Sequence, residues 1–230
     1  MNEIIKNLEN GLIVSCQALD GNPLKSPVHM SAMALAAELG GAVAIRANGT
    51  EDIPAIKKLV KIPVIGIYKT ARSLDTPYIT PDFEHAKAIA DLGVEIIALD
   101  ATNRPRPNGV DLGELIHRIK NELGVLVMAD IATFEEGVQA AKYGVDLVAT
   151  TLSGYTTYSP ITKEPDYELI RKLKAAIDTP IIAEGRFVSP EDVKRGLEAG
   201  AHAVVVGKAI TNVQFTTNMF ITEAGCKKAN

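Results

Sequence analysis

Apolar residues in this chain come in short, nearly continuous runs rather than in strict alternation with polar ones. The runs are LIVSCQA from Leu12, AVAIRA from Ala42, PVIGIYK from Pro63, IIALDA from Ile96, LVMADI from Leu126, DLVATTL from Asp146, PIIAEG from Pro180 and AVVVGKAI from Ala203. Continuous runs rich in Val and Ile fit parallel strands covered on both faces. Between them lie segments with helical spacing: MSAMALAAELG, EDIPAIKKLVK, PDFEHAKAIADLG, GELIHRIKNEL, TFEEGVQAAKYG, DYELIRKLKAAI and SPEDVKRGLEAG. Several open on an N-capping Ser, Thr or Asp and close on Gly. Strand and helix therefore alternate throughout, which predicts an α/β fold, a (β/α)8 TIM barrel forming a single domain over residues 1–230. A doubly wound sheet is the alternative, but no G-x-G-x-x-G follows the first strand and no Pro/Gly/Ser-rich linker splits the chain. The tail, with Phe215, Met219 and Phe220, reads as a last helix around 211–230. It either closes the barrel or packs on a second subunit as a homodimer contact.

Composition narrows the partners. The chain of 230 residues carries a net charge of -4 and only 5% aromatic residues, without a Lys/Arg-rich run, so nucleic acid is not an expected partner. No apolar run approaches the roughly 18 residues of a membrane span, and no membrane partner is expected. Cys16 and Cys226 stand at opposite ends without a C-x-x-C spacing, which points to a reducing, cytoplasmic setting. His29, His85, His117 and His202 make no metal-ligand spacing, so no metal is expected.

A parallel barrel gathers functional groups at the C-terminal ends of its strands. Here the runs stop at Gln17, Arg46, Lys69, Asp100, Asp130, Thr151 with Ser153, Glu184-Gly185-Arg186 and Gly207-Lys208. Singly, each has a plain structural use. Lys69 can reach solvent, Asp100 and Asp130 can tie loops, and Arg46 can pair with Glu184. Together they would form one charged rim. Glycines after the last two strands let an anion approach backbone N–H groups, so Gly185 and Gly207, with Lys208 or Arg186 adding charge, read as a phosphate site. Lys69 and Glu184 then offer a base and an acid for a carbon acid beside a carbonyl, provided Lys69 is neutral. Lys69 also suits a Schiff base. GYTTYSP, Gly154 to Pro160, reads either as a flap over the rim or as an inert loop.

The segments LIVSCQALDGNPL, GGAVAIRANG, IPVIGIYK, IIALDATNRPRP, MADIATFEEG, ATTLSGYT, IIAEGRFVSPED and AVVVGKAIT together resemble the N-acylmannosamine-6-phosphate 2-epimerases, from about Gly11 to Thr211. The resemblance implies a (β/α)8 enzyme interconverting N-acetylmannosamine 6-phosphate and N-acetylglucosamine 6-phosphate in sialic acid use, by proton removal and return at C2 and with no cofactor. It implies Lys69 and Glu184 as the catalytic pair and Gln17, Arg46, Asp130 and Arg186 around the sugar. Gly185 and Gly207 match the phosphate-binding backbone. Lys208 and Val213 depart from the family pattern, which has a smaller residue and a proline there.

Overall fold

Eight parallel strands close into one barrel in chain order, and the computed structural model describes residues 2–227 of the chain. A short helix, α1 (Glu3–Asn7), precedes β1 (Gly11–Cys16). The alternation continues with α2 (Pro27–Leu39), β2 (Ala44–Asn48), α3 (Gly49–Lys57), β3 (Val64–Ile67), α4 (Phe83–Ala90) and β4 (Ile96–Asp100). Next come α5 (Leu112–Arg118), which runs on as a π turn over Ile119–Leu123, then β5 (Leu126–Asp130), α6 (Phe134–Lys142) and β6 (Leu147–Ala149). The chain ends with α7 (Tyr167–Ala176), β7 (Ile181–Glu184), α8 (Pro190–Glu198), β8 (Ala203–Val206), α9 (Lys208–Thr211) and α10 (Val213–Glu223). Pairing of β1 with β8, Gly11 to Val14 against Ala203 to Val206, seals the cylinder.

The helices start where their caps dictate. Ser26, Asp82 and Asp111 each accept a hydrogen bond from the backbone N–H three residues on. Thr133 and Ser189 do so within reciprocal capping boxes with Glu136 and Asp192. The apolar runs look continuous because they serve two cores at once. Outward residues such as Val14, Ile45, Val64, Ile97, Val127, Val148 and Val204 pack under the helices. Inward residues Ile13, Ala44, Ile65, Ile96, Met128, Leu147, Ile182 and Ala203 fill the barrel itself. Burying each large aliphatic chain here stabilises the fold by about 1.5–3 kcal/mol.

Helix α1 is not legible as an element in the sequence, although its residues have a clear task. Ile5 and Leu8 are buried among the inward residues and stopper the N-terminal end of the barrel. His202 binds the carbonyl of Ile5 at 2.7 Å, and Asn10 N donates to the carbonyl of His202 at 2.7 Å. The predicted tail helix is also revised. It breaks at Asn212, whose side chain caps α10 by accepting from Phe215 N, and it ends at Glu223; residues 228–230 lie outside those described. The sheet closes without α10, which has no buried residue.

Candidate active site

Period-two geometry explains which polar residues enter the barrel mouth. Side chains two apart on a strand share a face, so the inward set continues upward from each apolar residue. Ala44 leads to Arg46, Ile67 to Lys69, Ala98 to Asp100, Met128 to Asp130, Ala149 to Thr151, Ile182 to Glu184 and Val205 to Gly207. Ile13 leads through Ser15 to Gln17 in the same way. One phase relation thus turns eight strand ends toward a common axis.

At the centre stands Arg46, only 1% exposed. Its Nη1 and Nη2 donate to Oδ1 and Oδ2 of Asp130 at 3.0 and 2.5 Å, a bidentate grip on a carboxylate that is itself fully buried. Nη1 also donates to Glu184 Oε2, and to Thr151 Oγ1 at 3.2 Å. Arg46 Nε is buried with no hydrogen-bond partner among the described residues, an unspent donor inside the site. Burial works against the Arg46 cation, but the charges of Asp130 and Glu184 outweigh it and hold its pKa above the ordinary arginine value. Glu184 behaves differently. Burial raises its pKa and the neighbouring Asp130 charge adds to this, while Arg46, Lys69 and Thr151 pull the other way. The ion pair with Arg46 loses that contest because a single guanidinium serves two carboxylates.

Lys69 is held beside this cluster from backbone and side chain. Its N–H donates to Asn48 Oδ1 at 2.8 Å, and it bridges to Ile79 where the loop after β3 folds back antiparallel. Its Nζ donates to Gln17 Oε1 at 2.6 Å, and Gln17 in turn donates to Ser15 Oγ at 2.8 Å. Burial and then the positive charge of Arg46 push the Lys69 pKa down to about 8, against the opposing pull of Glu184 and Asp130. Roughly a tenth of such a lysine is neutral at pH 7, which makes it a usable base.

The loop after β7 carries the most unusual backbone. Gly185 has φ +111° and Arg186 φ +64°, so consecutive residues sit in left-handed territory that disfavours side chains. The resemblance puts Arg186 near the sugar. Its guanidinium ties down the loop after β6: Nε donates to the carbonyl of Glu164 and Nη1 to that of Ser153, both at 2.8 Å, with the group 5.4 Å from the Tyr155 ring. Gly207 is half-buried beside Ser15 and precedes α9, whose first residue, Lys208, is exposed.

Asp100 faces inward but is spent on its own loop and the loop after β3, accepting from Thr102 N and Oγ1, Tyr78 N and Arg104 Nη2. Arg104 reaches on to the carbonyls of Ser73 and Leu74. Buried Glu136 collects Asn103 N, Ala132 N, Thr133 N and the Tyr158 hydroxyl. The GYTTYSP loop is thereby tethered to α6 and to the loop after β4. Asp100 is the loop tie that the sequence allows for; Arg104 and Glu136, with Asn48 and Ser15, give no signal there, because charges in a turn such as TNRPRP look like solvated ones until their partners are known.

A (β/α)8 barrel that holds a depressed-pKa lysine beside a guanidinium shared by two carboxylates is a barrel enzyme equipped for proton transfer. Comparison with known proteins specifies the kind. The family model described as "Putative N-acetylmannosamine-6-phosphate epimerase" matches residues 30–225. A protein of Caldanaerobacter subterraneus subsp. tengcongensis named "Putative N-acetylmannosamine-6-phosphate 2-epimerase" is 56% identical over 221 residues, covering 96% of this chain and 93% of its own. A Clostridioides difficile protein of the same name is 50% identical, with 95% and 97% covered. The solved N-acetylmannosamine-6-phosphate 2-epimerase from Clostridium perfringens superposes with a TM-score of 0.92 at 44% identity, over 96% of both chains. The chain belongs to the N-acetylmannosamine-6-phosphate epimerase family. A thiamine phosphate pyrophosphorylase from Pyrococcus furiosus, at 16% identity and TM-score 0.61, shares the fold alone.

Lys69 should titrate near 8 when followed by carbon-13 NMR of its Cε. Arg46→Met should raise that value, since it removes a cation and leaves Asp130 and Glu184 unopposed. A Lys69 that titrates like an exposed lysine in both proteins would show that neither burial nor Arg46 controls its charge.

Proposed function

We propose that this protein interconverts N-acetylmannosamine 6-phosphate and N-acetylglucosamine 6-phosphate by moving a proton at C2. The observation that carries the reading is the meeting of Lys69, Arg46, Asp130 and Glu184 at the mouth of a barrel of this family. In the open-chain sugar, the C1 aldehyde acidifies the C2–H bond. Neutral Lys69 takes that proton, and the electron pair moves onto the C1 oxygen as an enolate. Fixed donors stabilise such charge best when they are oriented beforehand, and Arg46, pinned by two carboxylates, cannot turn away. Glu184, with its raised pKa, exchanges a proton with a sugar oxygen during ring opening and closure. Return of a proton to the opposite face of C2, from the Lys69 ammonium after the enolate turns or from a second acid, completes inversion. Gln17 and Asp130 hold the sugar and its base in register, while Gly185 and Gly207, with Lys208 at the edge, receive the phosphate. Arg186 contributes by fixing the loop that borders the sugar.

The reading includes a single-domain protein at work in the cytoplasm, consistent with Cys16 and Cys226 both being free thiols. It also includes a homodimer. Helix α10 leaves Val213 and Phe220 59% and 66% exposed, and beside α9 runs an apolar groove of about 310 Å³ lined by Leu12, Val14, Met33 and Ile210. Apolar surface of this kind marks an interaction face. None of the charged rim residues lines the groove.

Proton NMR in deuterium oxide tests the reaction. The wild type should convert N-acetylmannosamine 6-phosphate to its C2 epimer with deuterium at C2, and Lys69→Ala should lose exchange by at least about a hundredfold while still binding the sugar phosphate. Exchange retained in Lys69→Ala would move the base elsewhere. For the dimer, light scattering should give twice the chain mass, falling to one chain when residues beyond Thr211 are deleted. An unchanged mass in a folded truncated protein would remove α10 from the contact.

A further inference from the structure

We infer that Thr151 is a positioning residue for Glu184, giving Oε2 of that carboxylate a hydrogen bond when it is ionised so that Oε1 faces the substrate. Thr151 follows β6 on the inward phase, between the strands that supply Asp130 and Glu184. Its Oγ1 lies 2.6 Å from Asp130 Oδ1 and 3.2 Å from Glu184 Oε2, and it accepts from Arg46 Nη1 at 3.2 Å. A hydroxyl has one proton to give, and here two carboxylate oxygens compete for it. All hydrogen bonds of the Glu184 carboxylate among the described residues run to Oε2, from Arg46 and Thr151.

The competition gives the hydroxyl a use that an apolar residue of the same shape lacks. While Glu184 carries its proton on Oε1, Oε2 is a weak acceptor and the Thr151 proton goes to Asp130, the nearer partner. Once Glu184 has given that proton to a sugar oxygen, Oε2 becomes anionic and draws the Thr151 proton to itself. Asp130 then keeps both Nη1 and Nη2 of Arg46, so neither carboxylate is stranded in either half of the cycle. Thr151 exchanges no atom with the substrate; only its O–H bond rotates. Arg46 from β2, Asp130 from β5 and Lys69 beyond β3 are the charged groups facing Glu184, and all remain in a Thr151 variant.

The inference rests on the acid–base role proposed for Glu184. It is tested by comparing Thr151→Val, which removes the hydroxyl, with Thr151→Ser, which keeps it. In Thr151→Val, kcat should fall on the order of tenfold or more, the loss expected when a carboxylate loses one of its hydrogen-bond donors, with KM little changed. The limb of the pH–rate profile owed to Glu184 should move to higher pH, since the ionised carboxylate has lost a donor. Thr151→Ser should restore both. If the valine protein does not fold, Thr151→Ala should show the same loss and the same moved limb. Wild-type kcat and profile in Thr151→Val, equal losses in the valine and serine proteins, or a loss confined to KM would each overturn the assignment. Should the wild type not epimerise the sugar phosphate, the proposed reaction fails by itself. Carbon-13 titration of the Glu184 carboxyl then decides the role of Thr151, with an upward move in Thr151→Val expected and an unchanged value overturning it.

Discussion

The site depends on one constraint: a single buried guanidinium must satisfy two carboxylates, one fully buried and one half-buried. Arg46 meets Asp130 with both terminal nitrogens and has only part of one left for Glu184. The division is unequal, and its chemistry follows from that inequality. Asp130 is fixed in place by the bidentate grip, whereas Glu184 is under-compensated and holds a proton more readily than an ordinary carboxylate. The Arg46 cation also lowers the Lys69 pKa toward neutrality. Removing Arg46 would leave two carboxylates without their counter-charge, and breaking a buried ion pair in this way costs on the order of 3–5 kcal/mol. Its place within β2 thus serves stability and reactivity at once.

The barrel supplies the precision this arrangement needs. Each group stands one or two residue steps above a packed interior residue, so the strand that positions it is itself fixed by the core. Lys69 lies just past β3 and needs extra support, which Asn48, Ile79 and Gln17 provide. Besides apolar packing by Ile79, Ala132 and Leu152, charged side chains join the surrounding loops. Arg104, Glu136 and Arg186 each bind backbone groups of a loop other than their own. Such bonds fix loop paths without filling the mouth of the barrel.

Much of this is legible in the sequence because it follows from period and order. Continuous apolar runs mark the strands, and the residues where those runs stop include Gln17, Arg46, Lys69, Asp130 and Glu184, which the closed sheet gathers at one rim. What escapes depends on partners distant in the chain. Nothing in NEIIKNLEN says that Ile5 and Leu8 stopper a barrel, and nothing near Arg186 says that its guanidinium will find the carbonyls of Ser153 and Glu164. Asn212 as a cap between two helices is hidden in a stretch without Gly or Pro to mark the break. Thr151 ends its run without any sign of a special task, because a threonine ending a strand is ordinary. Only the flanking positions of Asp130 and Glu184 make its hydroxyl consequential.

Proton transfer by Lys69 at C2 is tested most directly by a crystal structure of the protein with N-acetylmannosamine 6-phosphate bound. Lys69 should be unmodified, with its Nζ within about 3.5 Å of C2, the distance of a reactive approach, and the phosphate should lie over Gly185 and Gly207. A covalent imine between Lys69 and C1, or a sugar reversed so that its phosphate lies against Arg46, would contradict that mechanism.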